Sequence, residues 1–212
     1  MASHSILSSE RERQLVEQVL RGDRGALGEL LGAYHKRVYH VILRMVSNTE
    51  DAAELTQEVL LRAIKHADNF KGDSKFSTWL LRIAMNLAIS HLRRTKVRKT
   101  VSLEHEVAGQ AGADQATPLK NLIAQQREQT ADYRVETQEQ IQRLGLALEA
   151  LEPSLRSVIL LRDLQGMDYQ QIAEVLAVPL GTVKSRLFRA RLALRAQLNG
   201  SLSAESQDDH ER

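Results

Sequence analysis

The chain has 212 residues and nearly balanced charge, with 29 Lys and Arg against 27 Asp and Glu and a formal net charge of +2. Its hydrophobic content of 42% supports packed cores, but aromatics are only 4%, so those cores are mostly aliphatic. Without cysteine, disulfide staples and thiolate metal sites are excluded, and no apolar run approaches the roughly 20 residues of a membrane span.

The start "MASHSILSSERER" lacks a cationic stretch followed by an apolar core, so no signal peptide is expected and a cytoplasmic location fits. "SSERERQLVEQVLRGD" predicts a helix capped at Ser9, with Leu15, Val16, Val19 and Leu20 on one side and Gly22 as its stop. A second helix is predicted from about Gly25 to Val46, where Leu27, Leu30, Leu31, Tyr34, Val38, Val41, Ile42 and Met45 keep helical spacing. Asn48 or Thr49 caps a third, over about 50–66, with Ala52, Leu55, Val59, Ala63 and Ile64 as its apolar side. The loop "DNFKGDS" follows, with Gly72 as breaker.

The fourth helix, about 75–95, carries Phe76, Leu80, Ile83 and Leu87 on one stripe. Lys75, Thr78, Arg82, Asn86, Ser90 and Arg93 share a polar face, and Trp79 falls on the border. Periodicity is then lost over 100–136, a small-residue, weakly acidic linker with room for a short helix near 119–129. Helical spacing returns from Thr137, with Ile141, Leu144, Leu148 and Leu151 as a stripe. Pro153 opens the next helix and Gly166 ends it. Asp168 and Gln171 form a capping-box spacing ahead of "YQQIAEVL", and "AVP" breaks the chain before "PLGTVKSRLFRARLAL".

Charge is unevenly spread along this order. Residues 82–99 hold Arg82, Arg93, Arg94, Lys96, Arg98 and Lys99 and no acid. Lys184, Arg186, Arg189, Arg191 and Arg195 form a second basic block, while 101–140 hold seven acids and three bases. Helix, tight break and cationic helix is the helix-turn-helix pattern. On the last helix Leu180, Val183, Leu187, Ala190 and Leu194 make an apolar stripe. Thr182, Ser185, Arg186 and Arg189 lie opposite, hydroxyls and guanidiniums suited to base edges and phosphates. A solvated charged face is the plainer account, but such faces mix signs to gain i,i+4 pairs, and this one has no acid.

"DYQQIAEVLAVPLGTVKSRLFRARLALRAQL" resembles the C-terminal helix-turn-helix of bacterial sigma factors of the extracytoplasmic-function (ECF) group of the sigma-70 family. "TEDAAELTQEVLLRAIKHADNFKGDSKFSTWLLRIAMNLAISHLRR" is similar to their promoter-melting domain. The resemblance implies an all-α fold of two small helical domains joined by a flexible linker. It places a four-helix promoter-melting domain at 10–99, the acidic linker at 100–136, a helix-turn-helix domain at 137–199 and a polar tail at 200–212.

The implied function is to bind core RNA polymerase and direct promoter-specific transcription initiation. Thr182, Lys184, Ser185, Arg186, Phe188 and Arg189 are then the contacts to the duplex minus-thirty-five element, although Phe188 adjoins the apolar stripe and is equally placed for the core. Phe70, Lys71, Gly72, Asp73, Ser74 and Lys75 match the loop that receives a flipped base, and Asn86 a base-contacting asparagine. Arg82, Arg93, Arg94 and Lys96 track the melted strand, with Trp79 either core or a wall of the strand channel. Asp51, Glu54, Gln57, Glu58 and Arg62 match the surface that docks on the polymerase clamp.

An anti-sigma factor is a further implied partner; no cofactor and no metal are implied. Two departures stand out: Ser90 where an acid often precedes "HLRR", and Ala177 where the turn commonly has glycine. A stand-alone helix-turn-helix regulator is the alternative, but residues 1–100 hold a second cationic surface in place of a sensor module. An enzyme is disfavoured because His4, His35, His40, His66, His91, His105 and His210 are scattered without ligand or triad spacing. The linker and the docking of the two domains are expected to mask both DNA surfaces in the free protein.

Overall fold

A computed structural model describes residues 7–106 and 143–208, and among these the regular structure is helical throughout. Helices α1 (Ser9–Leu20), α2 (Arg24–Val46), α3 (Thr49–Lys65) and α4 (Phe76–Glu106) form the N-terminal half. Helix α5 (143–149), α6 (Pro153–Ile159) with a π turn at Leu160–Leu164, α7 (Tyr169–Leu176) and α8 (Leu180–Asp208) form the other.

Side-chain caps set most of the boundaries. Ser8, one residue before the expected Ser9, accepts from the Arg11 amide to start α1. Asp23 accepts from Gly25 and Ala26, and Asn48 from Glu50 and Asp51. Each such cap satisfies amides that the helix itself leaves unpaired, typically contributing about 1 kcal/mol. Ser47, left-handed at φ 60°, turns the chain sharply from α2 into α3.

Helix α2 is the axis of the N-terminal half. Its apolar stripe is buried as the spacing requires, and α1, α3 and α4 all pack on it. Arg11 makes a two-pronged bridge to Glu29, at 3.0 and 2.7 Å, and the Tyr34 hydroxyl donates to Glu12 at 2.6 Å. These bonds fix α1 against α2. Burial, then the bond to Glu12, pushes the Tyr34 phenol well above its ordinary range.

Several expectations change in the structure. Helix α4 continues to Glu106, beyond the predicted end near 95 and into the stretch assigned to the linker. Helix α8 continues to Asp208, through most of the expected polar tail. Leu144 is 39% exposed, although the sequence places it on a buried stripe with Leu148 and Leu151. The linker interior, its short helix near 119–129 and Ile141 lie outside the described residues.

The two halves pack on each other through α4 against α7 and α6, and α2 against α6. The apolar core runs on between them.

Candidate nucleic-acid interface

In the C-terminal half, α7 starts at a complete capping box. The Asp168 carboxylate accepts from the Gln171 amide at 2.8 Å, and the Gln171 side-chain oxygen accepts from the Asp168 amide at 3.0 Å. Ala177 closes the helix in the left-handed region, φ 51°, which disfavours any residue with a Cβ. The Pro179 carbonyl then accepts from Thr182 and Val183, so α8 begins almost at once. Ile172 and Val175 of α7 are buried together with Val183, Leu187 and Ala190 of α8, which sets the angle between the two helices. Leu180, at 38% exposure, lies outside the buried part of the stripe.

That packing turns Lys184, Ser185, Phe188 and Arg189 outward, with Thr182 and Arg186 half-buried beside them. Phe188 is 67% exposed, so it is not a core residue. Ser185 donates to the Thr182 carbonyl at 3.1 Å and keeps its lone pairs for a donor from outside. Arg191 is paired with Asp163 at 3.1 Å, whereas Lys184, Arg186 and Arg189 form no ion pair among the described residues. An exposed, unneutralised set of cations around a polar strip is suited to phosphates and base edges.

In the N-terminal half, Tyr34, Phe70, Phe76 and Trp79 form an aromatic cluster with ring centroids 5.4–5.7 Å apart. Phe70 is 5% and Trp79 9% exposed. Both rings therefore pack in the core, which is one of the two places the sequence leaves open for Trp79 and which takes Phe70 off the surface of its loop. Above them, Lys71, Gly72, Asp73 and Lys75 are exposed and Ser74 is half-buried. Gly72 has φ +80°, so the turn favours glycine, and a Cβ there would also press on the exposed Leu20 side chain at 3.0 Å.

Along α4, Asn86, Arg93, Arg94 and Lys96 are exposed. Thr78, placed by the wheel on the same polar face, is 1% exposed, and Arg82 is paired with Glu174 of α7 at 2.8 Å. The contact between the halves thus engages Arg82 alone among the cations named on α4. It leaves Asn86, Arg93, Arg94 and Lys96 of α4 and the outward residues of α8 exposed, so the expected masking of both surfaces is not seen among the described residues.

On α3, Glu54 and Gln57 are exposed, and Glu58 is paired with Arg62 at 2.5 Å. Asp51 is half-buried with its carboxylate 3.2 Å from His91 Nε2 of α4. The same helix exposes Leu61 (66%) and Ile64 (53%). Ile64 thus departs from the buried side that the spacing predicts, and Leu61 belongs to none of the predicted stripes. A cavity of about 420 Å³ between α2 and α3, lined by Leu31, Leu60 and Ile64 with His35 and Lys36, extends this apolar surface. The available signal was a leucine pair, Leu60–Leu61, that one apolar stripe cannot bury entirely.

Two helical halves, one a helix-turn-helix, each with exposed cations, place the chain in the class of helical DNA-binding proteins. Residues 30–98 match the model of Sigma-70 region 2, and residues 141–194 that of Sigma-70, region 4. The chain is 36% identical to the RNA polymerase sigma-H factor of Pseudomonas aeruginosa, over 89% of this chain and 94% of that one. It is 35% identical to the ECF RNA polymerase sigma factor SigW of Bacillus subtilis (88% and 96%) and 34% to the ECF RNA polymerase sigma-E factor of Escherichia coli (86% and 92%). Its fold is similar to that of CnrH, solved in complex with the cytosolic domain of CnrY (TM-score 0.60, 22% identity, 90% of this chain and 98% of that one). It is also similar to the sigma factor RpoE of Bartonella quintana, solved with the anti-sigma factor NepR (TM-score 0.59, 22% identity, 81% and 96%). The chain belongs to the ECF group of the sigma-70 family of RNA polymerase sigma factors.

Proposed function

We propose that this sigma factor directs polymerase to promoters through a division of labour between its two halves. Residues 10–99 dock on core polymerase and hold the opened minus-ten strand, 100–136 link, and 137–199 read the duplex minus-thirty-five element. The observation that carries the reading is the pair of cationic surfaces on different helices, α4 and α8, in one chain with both family matches.

Within that division, Lys184, Ser185, Phe188 and Arg189 are the outermost groups for the major groove, with Thr182 and Arg186 at its edge. Lys71, Gly72, Asp73, Ser74 and Lys75 surround the flipped base, and Asn86 and Arg93 with Arg94 follow the strand. Phe70 and Trp79 support that loop from below. On α3, Asp51, Glu54, Gln57, Glu58 and Arg62 contact the polymerase, joined by Leu61 and Ile64, whose exposure suits a docking face better than water. The protein acts in the cytoplasm, catalyses no reaction itself, and is held by an anti-sigma factor until needed. Among the described residues no helix is long and apolar enough to cross a membrane.

A gel-shift comparison tests the reading. At physiological salt, with competitor DNA present, a promoter fragment should be retained specifically only when chain and core polymerase are both present. Tight, specific retention by the chain alone would favour a stand-alone helix-turn-helix regulator instead.

A further inference from the structure

Helix α1 has no part in the division of labour above, yet it meets the loop before α4 at two levels. Near its start, the Glu12 carboxylate accepts from the Tyr34 hydroxyl at 2.6 Å, and the Tyr34 ring lies 5.7 Å from Phe76 in the aromatic cluster beneath the loop. At its end, Leu20 lies against Gly72: a Cβ on that glycine would meet Leu20 Cδ1 at 3.0 Å and Cδ2 at 3.5 Å. Leu15 and Val19 of the same apolar stripe are buried, whereas Leu20 is 46% exposed and turned toward the loop.

The loop depends on such packing because its own backbone holds it only at the ends. The Phe70 amide donates to the Ala67 carbonyl at 2.9 Å, and the Lys75 carbonyl accepts from the Thr78 and Trp79 amides at 2.9 and 3.1 Å. Between these points, residues 71–74 make no hydrogen bond to another described residue. Gly72 loosens the segment further, since glycine loses more conformational freedom on being fixed than any other residue. The conformation of 71–74 is therefore set by its neighbours, with Phe70 anchored in the core below and Leu20 on the outside.

We propose that α1 is a brace for this loop and that Leu20 is a positioning residue for capture of the flipped base. The proposal rests on the reading of 71–75 as the loop that receives that base. Leu20 has no polar atom with which to read a base edge, so it acts through Gly72. The Arg11–Glu29 bridge and the Glu12–Tyr34 bond fasten α1 to α2, so Leu20 is presented from a fixed support. A loop kept in its receiving conformation binds the strand without the loss of affinity that a fractionally populated conformation imposes.

The test uses holoenzyme assembled from the full chain and core polymerase. The probes are labelled single strands covering the minus-ten element of a promoter that the unaltered holoenzyme transcribes. One strand is intact, and in each of the others one base is replaced by an abasic site. The unaltered holoenzyme should show one position at which loss of the base weakens binding most, the flipped base. Leu20→Ala should lower affinity for the intact strand about three- to tenfold. On the strand that lacks the flipped base it should bind as the unaltered holoenzyme does, and its affinity for core polymerase should be unchanged. Leu20→Met, which refills the contact with Gly72, should restore the affinity for the intact strand. An equal loss on every strand would make Leu20 merely structural, and unchanged affinity for the intact strand would remove it from base capture; either result overturns the brace. If the flipped position is found and Leu20→Ala leaves it unaffected, only the brace is lost. If the unaltered holoenzyme shows no such position, the reading of the loop is lost and the brace with it.

Discussion

At the scale of single residues, chemistry and position have different legibility. The outward set on α8 follows from a helical wheel, because Val183, Leu187 and Ala190 must face the core and the cations must then face away. Arg189→Ala should weaken recognition of the upstream element by about 1–3 kcal/mol, read as promoter selectivity in transcription with core polymerase. Unchanged selectivity would remove Arg189 from the interface. Phe70 and Trp79 were less legible. Their place in a cluster with Phe76 and Tyr34 depends on ring contacts across a loop and two helices, which spacing does not encode. Ala177 is a residue whose side chain conflicts with its backbone, since left-handed geometry is costly for alanine. Ala177→Gly should raise stability by about 1 kcal/mol, seen as a higher denaturation midpoint with an unchanged slope. A lower midpoint would show that the turn is not strained there.

At the scale of elements, caps and stop signals located most helices to within a residue or two. Asp168 shows why: its reciprocal bonds with Gln171 are local and therefore visible as a spacing. Asp168→Ala should cost about 1 kcal/mol in chemical denaturation and loosen the seat of α8, weakening duplex binding in step. Normal duplex affinity in a destabilised variant would mean that α8 is positioned without α7. The ends of α4 and α8 were not legible: 96–106 lack apolar periodicity, and Asn199–Gly200 reads as a stop that α8 runs through. The π turn at Leu160–Leu164 has no residue signature either. Arg156 lies 111 residues from Met45, whose carbonyl it binds, and its guanidinium also reaches the Glu149 and Leu151 carbonyls. Burial lowers its affinity for the proton, yet these carbonyls keep the charge compensated. Arg156→Ala should cost about 3 kcal/mol in urea denaturation, since several buried acceptors lose a charged donor. A loss below about 1 kcal/mol would show that water takes over the site.

At the scale of the whole molecule, two helical halves and two basic blocks were visible in the chain, and their order pointed to promoter recognition. The contact between the halves was not visible, because it joins polar groups distant in sequence over a shared apolar core. In that contact α4 commits Arg82 to Glu174, while Arg93 and Arg94 of α4 and the cations of α8 stay outward. Free chain should therefore bind random DNA only weakly, with an affinity that falls steeply as salt rises, and a salt-independent affinity would mean that these cations do not meet phosphates. The central claim is that the chain selects promoters only as a subunit of polymerase. Transcription of a genomic fragment library by purified core polymerase, with and without the chain, tests it most directly. The account predicts new transcripts that require the chain and start downstream of a shared pair of sequence elements. Transcripts unchanged by its presence, while the chain alone binds specific duplex sites tightly, would contradict it.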